Sequence, residues 1–446
     1  MIIKQFLDKP LAHYSYAILC NKSIALVDPS RDPRPYYEFA EAHNATIVAI
    51  FETHPHADFV SGHLQLHKET NATIYCSKLV GADYPHESFD EENTLLIDDV
   101  RFTAINTPGH SPDSISVLAE TDKDTPVLFT GDTLFVGDVG RPDLREKAGN
   151  KKAKRKELAQ AMFSTINNKF NHLTDETIIY PAHGAGSLCG KNMSSDSSST
   201  LGKERTQNWA FKKLTEEEFI DQLLAEQPFI PSYFGYDVDL NKQGAKNIEK
   251  EIYNIPFHMN VCRCENQHLV IDTRDEEEFK KGHLSNSINI MARNEDDKLE
   301  TWLGAIVQPN EKFNLIIDKA TNRQEILNRI AKIGYESQIQ TIMTLGSFNM
   351  KTSSPLEFDH FKNNTDDYTI LDIRNKSEVK QNKIFDKALN IPLNDLRDNL
   401  DQIPVDKPIV VHCAGGYRSA VGFSILSKNI QETKIFDLSE KINEFK

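Results

Sequence analysis

Short apolar runs rich in Ile, Val and Thr recur through the first half of the chain and predict β-strands that alternate with helices. The runs are Ser23–Val27, Ala45–Phe51, Ala72–Cys76, Val100–Ile105, Ser114–Ala119, Val127–Thr130 and Thr177–Tyr180. Helical spacing predicts helices over Glu157–Phe170 and Thr215–Glu226, the second with a capping box between Thr215 and Glu218. The serine-rich stretch Ser194–Thr200 is predicted to be a loop. This alternation indicates an α/β fold.

The second half of the chain contains one pattern twice. Leu269–Arg274 resembles Thr369–Arg374, Ser287–Ile290 resembles Ala388–Ile391, and Leu315–Asp318 resembles Val410–Cys413. Three matches in the same order predict two copies of one α/β unit, at residues 260–350 and 358–446, after a first domain of residues 1–235.

Composition and charge narrow the function classes. The 446 residues are 39% hydrophobic and 26% charged, which is typical of a globular protein of about three domains. The formal net charge of −15 argues against nucleic acid or an anionic membrane as a partner, because phosphates require a basic surface. With neither a targeting segment nor an apolar run of membrane-spanning length in the sequence, we expect a cytoplasmic protein with free thiols and homo-oligomeric assembly.

Four of the predicted strands lead into histidine or aspartate. The positions reached in this way are His54, His56 and Asp58, then His110, Asp132 and His183. Imidazole and carboxylate groups at the ends of strands build a rigid metal site at a sheet edge. The sequence therefore predicts a metal centre in the first domain.

This arrangement resembles the metallo-β-lactamase superfamily, which implies an αββα sandwich for the first domain. The superfamily motif is H-x-H-x-D-H, and here it begins at His54 but has Phe59 in its last position. In dinuclear hydrolases such as glyoxalase II, that last histidine binds the second zinc. The resemblance therefore implies that the second metal site is damaged, since phenylalanine cannot ligate.

His54, His110 and Asp132 remain as two imidazoles and one carboxylate, the ligand set of non-haem Fe(II) oxygenases. The pattern resembles the persulfide dioxygenases of the superfamily, which implies one Fe(II) per chain. By that resemblance, His56, Asp58 and His183 lie behind the ligands, where they orient them or bind water. Direct ligation by His56, as in zinc hydrolases, stays open.

Two further residues extend this resemblance. Arg141, in the segment after Asp132, is the expected contact for a carboxylate or sulfonate oxygen of the substrate, with an ion pair to Asp143 as the alternative. Cys189 is placed to carry or receive sulfur near the metal, although we favour an inert thiol in a loop. The segment around Cys189 resembles the subgroup fused to rhodaneses, which implies that the serine stretch is an ordered loop near the site.

A second candidate site lies near the end of the sequence. Cys413 occupies a predicted strand-to-helix turn, where backbone N–H groups, the helix terminus and Arg418 favour a nucleophilic thiolate. The loop between them is Ala414, Gly415, Gly416 and Tyr417. Tyrosine phosphatases have five residues here, and the shorter loop of four suits a sulfur atom. It resembles the rhodanese loop, which implies that Cys413 carries a persulfide.

The first copy lacks this nucleophile. Aligning Arg323 with Arg418 places Asp318 at the position of Cys413. A carboxylate cannot hold sulfane sulfur, so residues 260–350 are expected to form an inactive rhodanese-like domain with a packing or docking role.

Together the resemblances imply that a thiol persulfide is oxidised with O2 to sulfite and thiol at Fe(II), and that Cys413 passes sulfane sulfur to sulfite to give thiosulfate. Two alternatives stay open: a zinc-dependent thioester hydrolase of the glyoxalase II type, and a sulfur-relay or redox-sensing partner protein. The thiol that carries the persulfide is also open between glutathione, coenzyme A, bacillithiol and cysteine.

Overall fold

The computed structural model describes residues 1–144, 155–262, 268–346 and 350–446. The chain forms two compact units, Met1–Glu251 and Ile252–Lys446, apart from the turn Ala331–Gly334, which groups with the first. None of the helices in these ranges has the length and apolar character that a membrane span requires. The cysteines within the same ranges form no disulfide.

Two six-stranded sheets build the first unit. Its strands are β1 (Ile2–Asp8), β2 (His13–Cys20), β3 (Ser23–Val27), β4 (Thr46–Phe51), β5 (Thr73–Cys76), β6 (Glu87–Ser88), β7 (Thr94–Ile97), β8 (Val100–Asn106), β9 (Ile115–Glu120), β10 (Val127–Gly131), β11 (Leu134–Phe135), β12 (Asp138–Val139), β13 (Ile178–Pro181) and β14 (Ser199–Thr200). The helices up to residue 253 are α1 (Arg34–Ala42), α2 (His63–Thr70), α3 (Arg155–Asn168), α4 (Leu201–Gln207), α5 (Glu216–Leu224), α6 (Tyr233–Gln243) and α7 (Ile248–Tyr253). One sheet has the order β1-β2-β3-β4-β5-β6 and the other β14-β13-β10-β9-β8-β7.

The two sheets pack face to face, and helices cover their outer faces. Along β2, Tyr16 and Ile18 contribute to the core between the sheets, whereas Ala17 and Leu19 pack under α1 and α2. The outer face of the second sheet packs in the same way against α3 and α5. Alternation along a strand sends successive side chains to opposite faces, so both faces of these strands are apolar. This is the αββα sandwich, and the predicted fold class is confirmed.

The predicted strands occur within two residues of the expected bounds, and α5 begins with the predicted capping box. The hairpin of β1 and β2 escapes sequence analysis, because no side chain of β1 is fully buried and its apolar pattern is weak. The end of the serine stretch is a strand rather than a loop, with Ser199 and Thr200 paired to β13.

Both rhodanese-like copies lie in the second unit. The first contains β15 (Phe257–Val261), β16 (Leu269–Asp272), α8 (Glu276–Lys281), β17 (Ser287–Asn289), α9 (Leu299–Ile306), β18 (Phe313–Ile316), α10 (Arg323–Ala331) and β19 (Ile339–Leu345). The second contains α11 (Phe358–Asn363), β20 (Thr369–Asp372), α12 (Lys376–Gln381), β21 (Leu389–Asn390), β22 (Ile409–His412), α13 (Tyr417–Asn429) and β23 (Ile435–Asp437). Both sheets are parallel, with the orders β15-β19-β18-β16-β17 and β21-β20-β22-β23. The equivalent strands follow the same order, and the first copy has β15 in addition.

Candidate metal centre and cysteine loop

Three of the predicted ligands converge in the first unit. The Nε2 atoms of His54 and His110 lie 3.8 Å and 3.6 Å from Oδ2 of Asp132. One ligand atom from each of the three side chains falls within 4.8 Å of the others, and all three side chains are buried. Strands β4, β8 and β10 end at this point and bring the loops together. The arrangement is a metal-binding site of His and Asp residues.

Neighbouring groups orient these ligands. Nδ1 of His110 donates to the carbonyl oxygen of Arg141 at 2.9 Å, which turns Nε2 towards Asp132. Nδ1 of His183 donates to Oδ1 of Asp132 at 2.7 Å. Burial opposes the charge on His183, but the carboxylates of Asp132 and Asp58 outweigh it and hold the pKa of His183 well above its usual range. Oδ2 of Asp132 is buried and accepts no hydrogen bond from the described residues, so a cation is the fitting partner for it.

His56, Asp58 and His183 form a second buried cluster of possible ligand atoms. Nε2 of His183 lies 2.9 Å from Oδ2 of Asp58, and Nε2 of His56 lies 3.3 Å from Oδ1 of Asp28. The ring of Phe59 packs on His56 with centroids 4.4 Å apart. The second cluster therefore surrounds an apolar ring at the motif position that usually carries a histidine.

Sequence analysis missed three residues that shape this centre. The buried ring of His13 in β2 lies 5.4 Å from the ring of His183. Asp28 accepts from the backbone and side chain of Thr53, beside His54, at 2.8 Å. Asn241 of α6 donates to the carbonyl oxygens of residues 56 and 59, and so holds the motif loop in place. Of the three, only Asp28 could have been recognised in the sequence. It directly follows the apolar strand β3, in the same way that Asp132 directly follows β10.

The structure favours the alternative role for Arg141. Its guanidinium pairs with both oxygens of Asp143 at 2.7 Å and donates to the carbonyl of Leu188 at 3.2 Å, with 1% of the side chain exposed. A buried and paired guanidinium is poorly placed for the predicted contact with a substrate. Arg141 instead ties its own loop to the segment before Cys189.

Cys189 lies beside the metal centre. Its sulfur groups with ligand atoms of Asp132 and His183, and the residue is buried. Burial raises the pKa of the Cys189 thiol well above its usual range, and the carboxylates of Asp58 and Asp132 raise it further. Such a thiol keeps its proton, which fits the inert role better than that of a sulfur carrier.

Cys413 lies where the predicted turn places it, directly after β22 and before α13. The N–H of Gly416 donates to its sulfur at 3.2 Å. Gly416 has φ +113°, a conformation that side chains rarely adopt, so glycine is required for this turn. The sulfur is buried at the N-terminal end of α13, where backbone N–H groups and the helix dipole favour an anion.

Arg418 interacts electrostatically with Cys413, as expected, and also forms an ion pair. Its guanidinium pairs with Oε1 and Oε2 of Glu378 at 2.7 Å and 2.6 Å. The ion pair offsets the positive charge near the sulfur and fixes the end of the loop to the start of α12. The cradle of Cys413 therefore combines a backbone N–H group with a cation that Glu378 partly neutralises.

Strand register corrects the alignment of the first copy. Asp272 pairs with Ile316, and the equivalent Asp372 pairs with His412. The residue that follows Ile316 is Ile317, so this fully buried side chain, and not Asp318, takes the place of Cys413. The Asp318 side chain is 51% exposed and lies 3.8 Å from Lys319. Aligning the copies by the five-residue spacing to the arginine gave the wrong position. The loop between Ile317 and α10 is longer than the loop between Cys413 and α13.

Comparison with known proteins agrees with this architecture. The family model described as the metallo-beta-lactamase superfamily matches residues 8–183, and the rhodanese-like domain model matches residues 262–344 and 357–446. The crystal structure of a metallo-beta-lactamase from Staphylococcus aureus subsp. aureus COL is 32% identical, with a TM-score of 0.66, and the match covers 77% of this chain and 99% of that one.

Other similar proteins match a smaller part of the chain. The crystal structure of ETHE1 from Myxococcus xanthus is 25% identical, with a TM-score of 0.46, over 54% of this chain and 98% of that one. The cytoplasmic isozyme of hydroxyacylglutathione hydrolase from Saccharomyces cerevisiae is 35% identical over 128 residues, which are 27% of this chain and 47% of that protein. The matches span 47% to 63% of the length of the first such curated relatives. By its fold, its His and Asp site and its match to the staphylococcal protein, the chain belongs to the metallo-β-lactamase superfamily and continues into two rhodanese-like domains.

Proposed function

We propose that the first domain is a persulfide dioxygenase with one Fe(II) per chain, held by His54, His110 and Asp132, and that the last domain is a sulfurtransferase that acts through Cys413. One observation carries the first part. A buried oxygen of Asp132 has no hydrogen-bond donor among the described residues and faces Nε2 of both histidines within 3.8 Å.

The donor set supports iron. Two imidazoles and one carboxylate with open positions are typical of Fe(II) sites that use dioxygen. When bound, Fe(II) supplies the redox chemistry by which dioxygen is added to sulfur. The overall reaction is RSSH + O2 + H2O giving RSH, sulfite and two protons, with the outer sulfur oxidised and dioxygen reduced.

The chain itself orients the ligands and keeps water out. The carbonyl of Arg141 and the ring of His183 hold His110 and Asp132 in position from behind. The ring of Phe59 forms an apolar wall and packs on the ring of His13, with both side chains buried. Excluding water from this wall protects a reactive persulfide from side reactions.

At the second site, Cys413 supplies a sulfur nucleophile. Its thiolate attacks the outer sulfur of a persulfide, so that the bond from Cys413 to that sulfur forms and the RS–S bond breaks, with the thiol leaving. A lone pair of sulfite then attacks the transferred sulfur. The S–S bond between Cys413 and the transferred sulfur breaks, thiosulfate leaves and the thiolate of Cys413 is regenerated. Backbone N–H groups such as that of Gly416 stabilise the anionic sulfur in both steps.

A zinc-dependent thioester hydrolase is the second candidate. The cluster of His56, Asp58 and His183 favours it, since these are possible ligands of a second ion beside the first. Relatives named hydroxyacylglutathione hydrolase are similar in sequence to part of this chain. Phe59 argues against it, because its apolar ring replaces one ligand of the second ion.

Metal analysis and substrate assays on one preparation distinguish the persulfide dioxygenase from the thioester hydrolase. The protein is purified without oxygen, its metals are counted, and oxygen uptake is followed with persulfides of glutathione, coenzyme A, bacillithiol and cysteine, beside hydrolysis of a glutathione thioester. We expect about one iron per chain and oxygen uptake with at least one persulfide. Two zinc ions per chain with thioester hydrolysis and no oxygen uptake would overturn the proposal.

A further inference from the structure

The cysteine loop of the second rhodanese-like copy is held from the first copy. Tyr417, between Gly416 and Arg418, donates its hydroxyl hydrogen to the carbonyl oxygen of Met291 at 2.8 Å. Both copies belong to one compact unit. The last residue of the loop is therefore bonded to a domain that has no cysteine at the equivalent position.

The carbonyl of Met291 is a rigid anchor. The N–H groups on either side of it, those of Ile290 and Ala292, donate to Asp272 and Thr273 at 2.9 Å and 3.0 Å. These bonds continue the pairing of β16 and β17 beyond the strand ends. An acceptor fixed on both sides holds its donor in one place.

The loop needs such an anchor because its own backbone is adaptable. Gly415 and Gly416 permit many conformations, yet the N–H of Gly416 must point at the sulfur of Cys413. Two of the side chains that hold the end of the loop bond to other segments, Arg418 to Glu378 and Tyr417 to Met291. Since Tyr417 directly follows Gly416, fixing its ring restricts the direction of the Gly416 peptide.

We propose that Tyr417 is a positioning residue for sulfur transfer at Cys413, and that the first rhodanese-like copy takes part in this reaction by holding Tyr417 through the Met291 carbonyl. The inference rests on the proposed sulfurtransferase function. It gives the copy without a nucleophile a role at the active loop of the other copy.

The test removes one hydroxyl. Tyr417→Phe keeps the ring and loses the bond to Met291. Alkylation of Cys413 by iodoacetamide, followed by mass spectrometry of its peptide over a range of pH, reports how well the loop stabilises the thiolate. We expect the alkylation profile to move to higher pH and kcat for thiosulfate formation to fall about five- to tenfold, with little change in KM for sulfite.

Ser424→Ala is the matched control. The hydroxyl of Ser424 on α13 accepts from the N–H of Asn289, so this variant also removes a bond between the copies, about two turns from the loop. We expect its alkylation profile to match that of the parent protein. The proposal is overturned if Tyr417→Phe keeps the parent profile and kcat, or if Ser424→Ala changes both as much.

The failure of the proposed function gives a different result. If Cys413→Ser forms thiosulfate at the parent rate, Cys413 is not the sulfur carrier. The alkylation profile of Tyr417→Phe needs no turnover, so it decides in that case too whether Tyr417 positions the loop.

Discussion

The ring of Phe59 lies on the ring of His13, with centroids 3.8 Å apart and planes tilted by 34°. Phe59 occupies the motif position that is histidine in dinuclear relatives, and His13 comes from a strand far away in the sequence. Phe59 also lies beside His56 and His183, two of the possible ligands of a second ion. We therefore expect the number of bound metal ions to depend on the residue at position 59.

Phe59→His should increase the metal content above that of the parent protein. The new imidazole would stand beside Asp58 and His183, whose atoms already lie 2.9 Å apart, and complete a ligand set. Metal content after loading with zinc measures the change, and Phe59→Leu, which stays apolar, is the control. An unchanged content in Phe59→His would show that the ring at position 59 does not limit the second site.

His110→Ala and Asp132→Ala should each lose iron and oxygen uptake together. Each removes one of three ligands, and removing Asp132 also deprives His183 of its acceptor. Metal analysis and an oxygen electrode measure both losses, with His172→Ala, at an exposed position, as control. Iron retained at the parent level in both ligand variants would contradict the assignment.

Cys413→Ser should abolish thiosulfate formation and leave oxygen uptake intact. A serine hydroxyl cannot replace a thiolate at neutral pH, while the proposed iron ligands belong to the first domain. The product should change from thiosulfate to sulfite, which ion chromatography separates. Cys262→Ser serves as the control. Thiosulfate at the parent rate, in the absence of a spontaneous reaction of sulfite with persulfide, would make Cys189 the next candidate carrier.

Asp318→Ala should leave sulfur transfer nearly unchanged. Its side chain is half exposed and does not take the position of the nucleophile, which Ile317 occupies. Thiosulfate formation by the folded variant checks this, with circular dichroism as evidence of folding. A large fall in turnover would mean that this loop contributes to the reaction.

His63 should make the first unit lose stability as the pH falls from 6.5 towards 3. Burial lowers the pKa of His63 from 6.5 to about 3, and repulsion from Arg31 and His67 adds to this. The unfolded chain binds the proton near pH 6.5 and the folded chain only near 3, so the free energy of unfolding decreases by about 1.4 kcal/mol per pH unit in between. Above pH 6.5, His63 is uncharged in both the folded and the unfolded chain, so it causes no loss of stability there.

His63→Gln should flatten that dependence. Urea unfolding between pH 4 and 7, followed by the fluorescence of Trp209 of the first unit in a Trp302→Phe background, gives the slope. His43→Gln, at an exposed position of the first unit, is the control. An equal slope in His63→Gln and the parent protein would exclude His63 as its source.

Local patterns were enough to predict much of this protein. The strands that precede His54 and Asp132 show apolar runs because both of their faces are largely buried, whereas the strand before His110 alternates buried and less buried positions. A ligand at the end of such a strand is recognisable from its neighbours alone. The turn at Cys413 is equally local, since glycines, cysteine and arginine lie within six residues of each other.

Tertiary structure decided the rest, because it depends on which distant segments pair. The register of β16 with β18 showed that Ile317, and not Asp318, is equivalent to Cys413. The spacing of residues in the sequence does not reveal such a shift of one residue. Contacts between remote segments bonded Arg141 to the carbonyl of Leu188 and paired Arg418 with Glu378. Sheet formation brought His13 to the metal centre. By itself the sequence determined which chemical groups are present and where strands end; the fold determined which atoms face each other, because contacts between remote residues leave no local periodicity.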